Sequence, residues 1–369
     1  MAVSADLWLV SLAFAFLVGT AATIVLSRAA GVLNLVDHPG GRKAHGRPVP
    51  LVGGLAIFVS FLSAAFVVGI ATSAGYFLFA LSIVIAVGMW DDVTDISPRV
   101  KFAIQIIASG LMIWGAGVQL SSVGDLLGWR PIGLWIFAIP LTVFAIVGVV
   151  NSLNMMDGLD GLGGSIAFVA FAWYAAAAMF SGLDVQFKTA LIFCGAIAGF
   201  LMFNLRFPWQ PHARVFLGDA GSLMIGFALG WFAIDLTQGH GRTMPAIAAL
   251  WVLLLPLADC VSLMTRRVMA RKSPFVADRH HIHHYLLARG YSHGQTLGIL
   301  VALSTLFGAV GFFGWRLDVP EAFLFWPFFF GYFGYHFWIK KAWNAIDAKA
   351  GDAAAASCAE EEEKVLPAA

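Results

Sequence analysis

The sequence predicts an all-α polytopic membrane protein with about eleven transmembrane helices, a periplasmic N-terminus and a cytoplasmic C-terminus. Of its 369 residues, 60% are hydrophobic and 12% are charged, and the mean hydropathy is +0.84. Soluble proteins average about 45–50% apolar and about 25% charged residues. Apolar runs near the roughly 20 residues that a spanning helix needs recur along the chain. Basic residues are concentrated in alternate loops.

Eleven apolar segments are long enough to be spanning helices. The first begins near Leu7 with no basic region before it, which favours a membrane helix over a secretory signal peptide. The segments cover residues 7–27, 51–71, 75–90, 102–119, 132–150, 162–181, 188–206, 218–237, 244–264, 295–315 and 322–339. We expect one transmembrane domain over residues 1–345 and a disordered, Ala- and Glu-rich tail over residues 346–369.

The distribution of basic residues predicts which loops face the cytoplasm. Of the 22 Lys and Arg residues, only Arg130, Lys188, Arg242 and Arg316 fall in one set of alternate loops. Cytoplasmic loops are enriched in Lys and Arg, so the other set is predicted to be cytoplasmic. An odd number of helices then leaves the N-terminus outside. The cytoplasmic loops are also the longer and more polar ones, and five of their segments carry residues suited to chemistry.

The first segment reads NLVDHPGGRKAHGRPVPLVGG, from Asn34 to Gly54. Its Gly and Pro residues indicate a loop. Lys43 and His45 are its candidate substrate-binding residues. The alternative is a positively charged anchor that contacts anionic lipid.

The second segment reads GMWDDVTDISPRVKFAIQ, from Gly88 to Gln105. Asp91 and Asp92 stand where a membrane helix emerges, and Lys101 follows after one or two turns. Adjacent carboxylates repel each other, so they are usually accompanied by a cation or a proton. Carboxylates also suit Mg²⁺, which commonly combines one or two of them with substrate phosphates. The alternative is a solvated helix cap.

The third segment reads NSLNMMDGLDGLGG, from Asn151 to Gly164. Asn151, Asn154, Asp157 and Asp160 recur every three residues, which aligns them loosely on one face of a helix or a turn-like extension. The intervening glycines let a ligand approach the backbone. Polar groups at this position are costly in a membrane, so this cluster indicates function rather than packing.

Two further segments are suited to a metal and to phosphate. In ARVFLGDAGSLMIGF (213–227), Asp219 opens an apolar helix. It is there either a plain N-cap or a metal ligand beside a helix N-terminus that favours phosphate. In RRVMARKSPFVADRHHIHHYLLARG (266–290), four histidines lie within five residues. Zinc is the rival interpretation, but no cysteine is nearby and Arg267 and Arg279 favour an anion.

In this order, DDVTD, NSLNMMDGLDGL, FLGDAGS and DRHHIHH resemble the polyprenyl-phosphate N-acetylhexosamine-1-phosphate transferases. The resemblance covers about residues 34–290. The His-x-His-His form, made by His281, His283 and His284, is most similar to the undecaprenyl-phosphate GlcNAc-1-phosphate transferases. The bacterial phospho-MurNAc-pentapeptide translocases typically show three histidines followed by Phe-Glu, and this chain departs from that pattern.

The resemblance implies a reaction and a set of roles. Undecaprenyl phosphate would attack the sugar-bearing phosphorus of a UDP-N-acetylhexosamine, in the bacterial inner membrane and on its cytoplasmic face, and UMP would leave. Mg²⁺, with Mn²⁺ as an alternative, would be held by Asp219 and Asn154. Lys101 would reach the pyrophosphate, while Asp160 and Phe216 would contact uracil. The remaining implied site residues are Asp91, Asp92, Asp157, Asn151, His281, His283, His284, Arg267 and Arg279.

Several alternatives remain open on the sequence. Either Asp91 or Asp92 could be a base, a nucleophile or an electrostatic brace. The donor is expected to be UDP-GlcNAc, with UDP-FucNAc, UDP-QuiNAc and UDP-MurNAc-pentapeptide as alternatives. A homodimer is possible, and no nucleic-acid partner is expected. A transporter is the rival class, but it predicts midplane charges and an inverted repeat, and neither is visible in the sequence.

Overall fold

The computed structural model describes residues 5–39, 46–70, 74–238, 243–273 and 280–365. The described part of the chain is mostly helical, with almost no strand. Its helices are α1 (Ala5–Ala29), α2 (Gly53–Val67), α3 (Gly75–Thr94), α4 (Pro98–Gly110), α5 (Ala138–Met156), α6 (Leu162–Phe180), α7 (Asp184–Asn204), α8 (Gly218–Asp235), α9 (Ala246–Val252), α10 (Leu254–Met269), α11 (Ile282–Ala288), α12 (His293–Arg316) and α13 (Glu321–Val365). Strands β1 (Val36–Asp37) and β2 (Val49–Pro50) pair antiparallel.

The predicted all-α membrane class is confirmed. Within the described ranges, six helices are long and apolar enough to cross a membrane, or seven if the bent pair α9–α10 counts as one span. Each of the eleven predicted segments coincides with a helix or with this bent pair. The number of eleven spans stays a prediction, because α2 is short and other helices do not meet the same criteria.

The predicted segment 244–264 is not one straight helix. The chain bends by 82° at Leu253, between α9 and α10. Pro256 stands in the first turn of α10 and has no N–H to donate to the preceding turn, which favours a new helix start here. Because of this bend, α10 runs in a different direction from α9. Asp259 lies on α10.

The long helix α13 crosses the predicted end of the transmembrane domain. It contains Pro327 and is helical from Glu321 to Val365. The tail over residues 346–369 therefore begins within a helix, and the domain division with its disordered tail stays a prediction.

Helix α8 is the central helix of the described bundle, and its N-terminus lies at the site. Nearly every residue from Ala220 to Ile234 is buried, against α2, α3, α5 and α6. Gly54 and Gly88 permit the closest contacts, because a Cβ atom at either would collide with the backbone of Gly221 or Ala220. Small residues at such crossings let helix backbones pack closely in membranes. The start of α8 is thereby held tightly between α2 and α3.

Further along the bundle, aromatic rings connect α2, α6 and α7. The ring of Phe193 stacks on Phe61 at 4.3 Å and on Phe171 at 4.5 Å. All three side chains are fully buried. Such pairs contribute about 0.5–1.5 kcal/mol each beyond the burial of their area. These contacts stabilise the bundle that carries the site.

Candidate active site

A cavity of about 850 Å³ opens where α3, α5 and α7 end and α8 begins. Carboxylates dominate its wall. Seven of the residues singled out from the sequence line it, namely Asp91, Asp92, Asn154, Asp157, Asp160, Phe216 and Asp219. We call it the acidic cavity. The three separate sequence motifs therefore converge in space.

One lysine connects two of these carboxylates. Lys101 Nζ lies 2.6 Å from Asp91 Oδ2 and 3.1 Å from Asp219 Oδ2. Asn154 Nδ2 donates to Asp219 Oδ1 at 2.9 Å and to the hydroxyl of Ser222 at 2.8 Å. Asp219 is thus held from both sides, while its side chain stays 31% exposed toward the cavity. This preorganised row of charges can receive an anionic substrate through Lys101 and a cation through its carboxylates.

The adjacent carboxylates of α3 have different partners. Consecutive residues of a helix point about 100° apart, so Asp91 meets Lys101 while Asp92 turns to the start of α8. Asp92 accepts hydrogen bonds from the backbone N–H groups of Asp219, at 2.7 Å, and of Ala220, at 3.0 Å. A carboxylate at a helix N-terminus stabilises the helix, because the helix dipole is positive at that end. Asp92 therefore fixes the position of Asp219.

The loop between α5 and α6 supplies two more carboxylates. Asp157 Oδ1 accepts a hydrogen bond from the Gly163 N–H at 3.2 Å. Burial raises the pKa of Asp157 to about 8, although this hydrogen bond opposes the shift. Asp160 Oδ2 accepts from Arg206 Nε at 2.7 Å and from the Ala213 N–H at 3.2 Å. Asp157 is thus predominantly protonated near neutral pH, whereas Asp160 is paired with a cation.

Asn151 does not line the acidic cavity. Its Nδ2 donates to the side-chain oxygen of Gln105 at 2.8 Å and to the Val147 carbonyl at 2.7 Å. α5 ends at Met156, so Asn151 and Asn154 lie on a helix while Asp157 and Asp160 follow it. The predicted alignment of all four along one face is therefore incomplete, and the substrate-binding role of Asn151 stays a prediction.

A second cavity, of about 830 Å³, adjoins the first. We call it the basic cavity, because Arg47, Arg206, His212, His284 and His293 line it. Gly158, Leu159, Asp160 and Phe216 belong to the walls of both cavities. A ligand with one end on the carboxylates and the other among these arginines and histidines would cross this shared wall.

The three histidines of the predicted motif have three different environments. His281 is buried, and its Nδ1 lies 2.7 Å from Asp259 Oδ2. His283 is 1% exposed, and its ring nitrogens have no hydrogen-bond partner among the described residues. Burial, together with the neighbouring His284 and His281, lowers the pKa of His283 to about 3, so this ring is neutral. Of the three, His284 alone lines the basic cavity.

The remaining predicted residues lie apart from the cavities or outside the description. Arg267 donates to the Ser273 carbonyl at 2.6 Å and lines neither cavity. Lys43, His45 and Arg279 lie outside the described residues. The roles assigned to these four residues stay predictions.

Sequence reasoning missed several residues of the site. Arg206, which pairs with Asp160, was counted only as a cytoplasmic charge. Asn204 lines the acidic cavity and accepts the Gly161 N–H at 2.8 Å. Asp259 is 1% exposed. A lone carboxylate within the apolar segment 244–264 is a signal that could have identified Asp259, because ionisable residues inside membranes are costly and usually functional.

The fold and the site together define a class. Apolar helices long enough to span a bilayer carry two adjoining cavities, one rich in carboxylates and the other in Arg and His side chains. Concave sites with convergent charged groups of this kind are typical of membrane enzymes that act on a charged substrate.

Comparison with known proteins identifies the family. The model of glycosyl transferase family 4 matches residues 74–237, which include the motifs of α3, α5 and α8. A Haemophilus influenzae protein named undecaprenyl-phosphate alpha-N-acetylglucosaminyl 1-phosphate transferase is 36% identical over 87% of this chain and 91% of its own length. The chain belongs to glycosyl transferase family 4.

Other relatives with the same name are similar along almost their whole length. The Pasteurella multocida protein is 35% identical over 91% of this chain and 94% of its own length. The protein of Escherichia coli strain K12 is 32% identical over 89% of this chain and 90% of its own length. The resemblance expected from the motifs is therefore confirmed.

Proposed function

We propose that this chain transfers N-acetylglucosamine 1-phosphate from UDP-GlcNAc to undecaprenyl phosphate and releases UMP. The observation that carries the proposal is the junction of an acidic and a basic cavity in a membrane protein of this family. The relatives bear the name of this activity over nearly their full lengths. The product, a lipid diphosphate sugar, would initiate a cell-surface glycan such as an O-antigen.

The reaction exchanges one phosphoanhydride for another. An oxygen of the lipid phosphate attacks the sugar-bearing phosphorus, and the bond to UMP breaks. An alkyl phosphate with a second pKa near 6 is mostly dianionic at pH 7, so the attacking oxygen needs no general base. Catalysis then depends on positioning and charge neutralisation. Lys101 supplies positive charge, and Asp91 keeps its ammonium group directed at Asp219.

Mg²⁺ is the cofactor that the donor set fits. The described residues contain no group of three or more His, Cys, Asp or Glu side chains arranged to hold a metal. Mg²⁺ commonly takes one or two carboxylates and completes its shell with water and substrate phosphates. Asp219, partly exposed beside Asn154, is suited to this use. When bound, Mg²⁺ would neutralise the charge of the diphosphate, and Mn²⁺ is the alternative.

The donor would extend across the shared wall. Phe216 offers an aromatic face to uracil, and Asp160 offers carboxylate oxygens to its N–H group. The diphosphate would then enter the acidic cavity and approach Lys101, which contacts the lining residues Asp91 and Asp219. Arg206 and His284 are placed to contact anionic groups from the basic cavity.

Membrane topology supports a cytoplasmic active site. With eleven spans and an outside N-terminus, the C-terminal ends of α3, α5 and α7 and the N-terminal end of α8 all face the cytoplasm. These are the ends that line the acidic cavity. The excess of Lys and Arg in the same loops agrees with this orientation. We therefore propose a multi-pass protein of the bacterial inner membrane, with a homodimer as its possible assembly.

A competition assay tests the proposal. Purified protein in detergent receives undecaprenyl phosphate, Mg²⁺ and one UDP-sugar at a time, and released UMP is measured. UDP-GlcNAc should be the preferred donor over UDP-FucNAc, UDP-QuiNAc and UDP-MurNAc-pentapeptide. Chelation of the metal should stop UMP release, and added Mg²⁺ should restore it. Release of UMP from another UDP-sugar but not from UDP-GlcNAc would contradict the proposed donor.

A further inference from the structure

Asp259 is a buried carboxylate that the proposed reaction does not use directly. It stands on α10, is 1% exposed and lines neither cavity. Three donors surround it. His281 Nδ1 lies 2.7 Å from Oδ2, and Oδ1 accepts from the Ile282 N–H at 3.0 Å and from the Tyr335 hydroxyl at 2.6 Å.

This arrangement fixes the start of α11. Carboxylate oxygens only accept hydrogen bonds, so His281 must carry its hydrogen on Nδ1. Ile282 is the first residue of α11, and its N–H has no acceptor within the helix. One carboxylate therefore binds both the side chain before α11 and the first backbone donor of α11. Tyr335 braces the same carboxylate from α13.

The next residues of α11 reach the cavities. His283 packs under the shared wall, because a Cβ atom at Gly158 would collide with its imidazole. The ring centroids of His284 and His283 are 4.2 Å apart, and His284 lines the basic cavity. A seven-residue helix has little stability of its own. Its orientation consequently depends on tertiary contacts, which include its packing against α12 and α13 and the hydrogen bonds at its start.

We propose that Asp259 is a positioning residue that sets the orientation of α11 and thereby the position of His284 in the basic cavity. The consequence for turnover rests on the proposed function, while the consequence for α11 itself does not. Small misplacements of binding groups are costly, and about 1 Å can cost 100-fold in rate.

Two substitutions of Asp259 separate positioning from packing. Asp259→Asn keeps the volume but replaces one acceptor by a donor, whereas Asp259→Glu keeps both acceptors and adds a methylene. If the carboxylate positions α11, Asp259→Asn should lower kcat/KM for UDP-GlcNAc by at least about 10-fold, and Asp259→Glu should retain more activity. A packing role predicts the opposite ranking, because the larger side chain would then be the more disruptive one.

Ser262→Ala is the matched control. The Ser262 hydroxyl lies 3.1 Å from His336 Nδ1, so this buried pair also joins α10 to α13 without contacting α11. Its kcat/KM should stay within about 3-fold of wild type, since a lost neutral hydrogen bond costs about 1 kcal/mol at most sites. A loss equal to that of Asp259→Asn would show that any break between α10 and α13 impairs the enzyme, and would overturn the proposal.

Hydrogen exchange tests the positioning without any activity. In the full-length protein, Asp259→Asn should increase amide exchange over residues 280–290, and Ser262→Ala should not. Unchanged exchange in Asp259→Asn would overturn the proposal even if UMP release fell. Failure of the wild-type protein to release UMP, with the exchange difference present, would instead count against the proposed function alone.

A double-mutant cycle covers the case in which Asp259→Glu does not fold. Because Asp259 positions α11 partly through His281, Asp259→Asn should lower kcat/KM by a smaller factor in the His281→Ala background than in the wild-type background. Fully additive losses would mean that the two residues act independently, which contradicts the proposal.

Discussion

The two cavities that meet at Gly158, Leu159 and Asp160 are built in different ways. The acidic cavity takes Asp91, Asp92 and Asp219 from the ends of membrane helices. Lys101 joins Asp91 to Asp219, and Asn154 donates to Asp219 as well. The basic cavity takes its Arg and His side chains from several separate loops and helix starts. The difference indicates that the acidic cavity is preorganised for chemistry, while the basic cavity contributes to binding. Substitutions should therefore affect turnover in the first and affinity in the second.

The largest effect is expected for Asp219→Asn. The substitution removes the charge that faces Lys101 and the carboxylate oxygen offered to Mg²⁺. We expect kcat for UMP release to fall by at least about 100-fold, because metal-assisted charge stabilisation contributes several kcal/mol.

Asp184→Asn is the matched control for Asp219→Asn. Asp184 also pairs with a lysine, Lys188, at 2.7 Å, but it stands at the start of α7. That end is roughly 30 Å along the helix from the acidic cavity. Its kcat should be close to that of wild type. Retained turnover in Asp219→Asn would mean that the acidic cavity is not the reaction centre.

A smaller loss of turnover is expected for Asp92→Asn, together with a loss of stability. Asp92 caps α8 through two backbone N–H groups. The amide keeps one acceptor and loses the charge. We expect about a 10-fold lower kcat and a free energy of unfolding reduced by about 1 kcal/mol, measured by UMP release and thermal unfolding in the same detergent. A loss as large as that of Asp219→Asn at unchanged stability would indicate direct contact between Asp92 and substrate.

The basic cavity should respond through KM. His284→Ala removes a side chain of the cavity wall, so KM for UDP-GlcNAc should rise about 5-fold, equivalent to about 1 kcal/mol of binding. His283→Ala removes a buried neutral ring and leaves a void beneath Gly158. Compared with His284→Ala, His283→Ala should lower the melting temperature more and raise KM less. If His283→Ala instead raised KM and His284→Ala lowered the melting temperature, α11 would present its other face to the substrate.

The difference between the acidic and the basic cavity also explains which site residues the sequence could predict. The polar residues of the acidic cavity, such as Asp91, Asn154 and Asp219, were identifiable from the sequence. Apolar runs predict the helices, and polar residues at the ends of such runs are conspicuous. The sequence treated Asp91 and Asp92 as one pair. Their separate partners, Lys101 and the N-terminus of α8, depend on the close packing of α3 against α8 and are not encoded in local spacing.

The basic residues were predicted less well, for a physical reason. A cation in a cytoplasmic loop has the same local signature whether it anchors the membrane, as positive-inside residues do, or lines a site. The sequence therefore favoured Arg267 as a site residue and not Arg206, whereas the fold directs Arg206 to Asp160 and Arg267 to Ser273. The histidine motif marked the correct segment, but its i, i+2, i+3 spacing did not reveal that His281 and His283 are buried and that His284 reaches the cavity. The eleven helix positions were predictable from hydropathy, whereas the bend at Leu253 was not.

The smallest effect is a difference in pH dependence between Asp157→Asn and wild type. Burial raises the pKa of Asp157 from 3.8 to about 8 in the folded protein. Between these values the folded state holds a proton that the unfolded state has released. This contribution to stability is therefore fully present below pH 4 and is lost as the pH rises toward 8. The variant keeps an acceptor for the Gly163 N–H but does not titrate.

Melting temperatures of both proteins at pH 5.5, 7 and 8.5, in one detergent, measure this difference. The wild-type value should decrease more steeply than that of Asp157→Asn, by about 4 °C over the range. The acidic cavity would then contain one carboxyl group that is protonated near neutral pH beside Asp219, which offers its charge to a cation. Parallel curves would mean that Asp157 is ionised in the folded protein, and the cavity would then carry one more negative charge for Lys101 and the metal to balance.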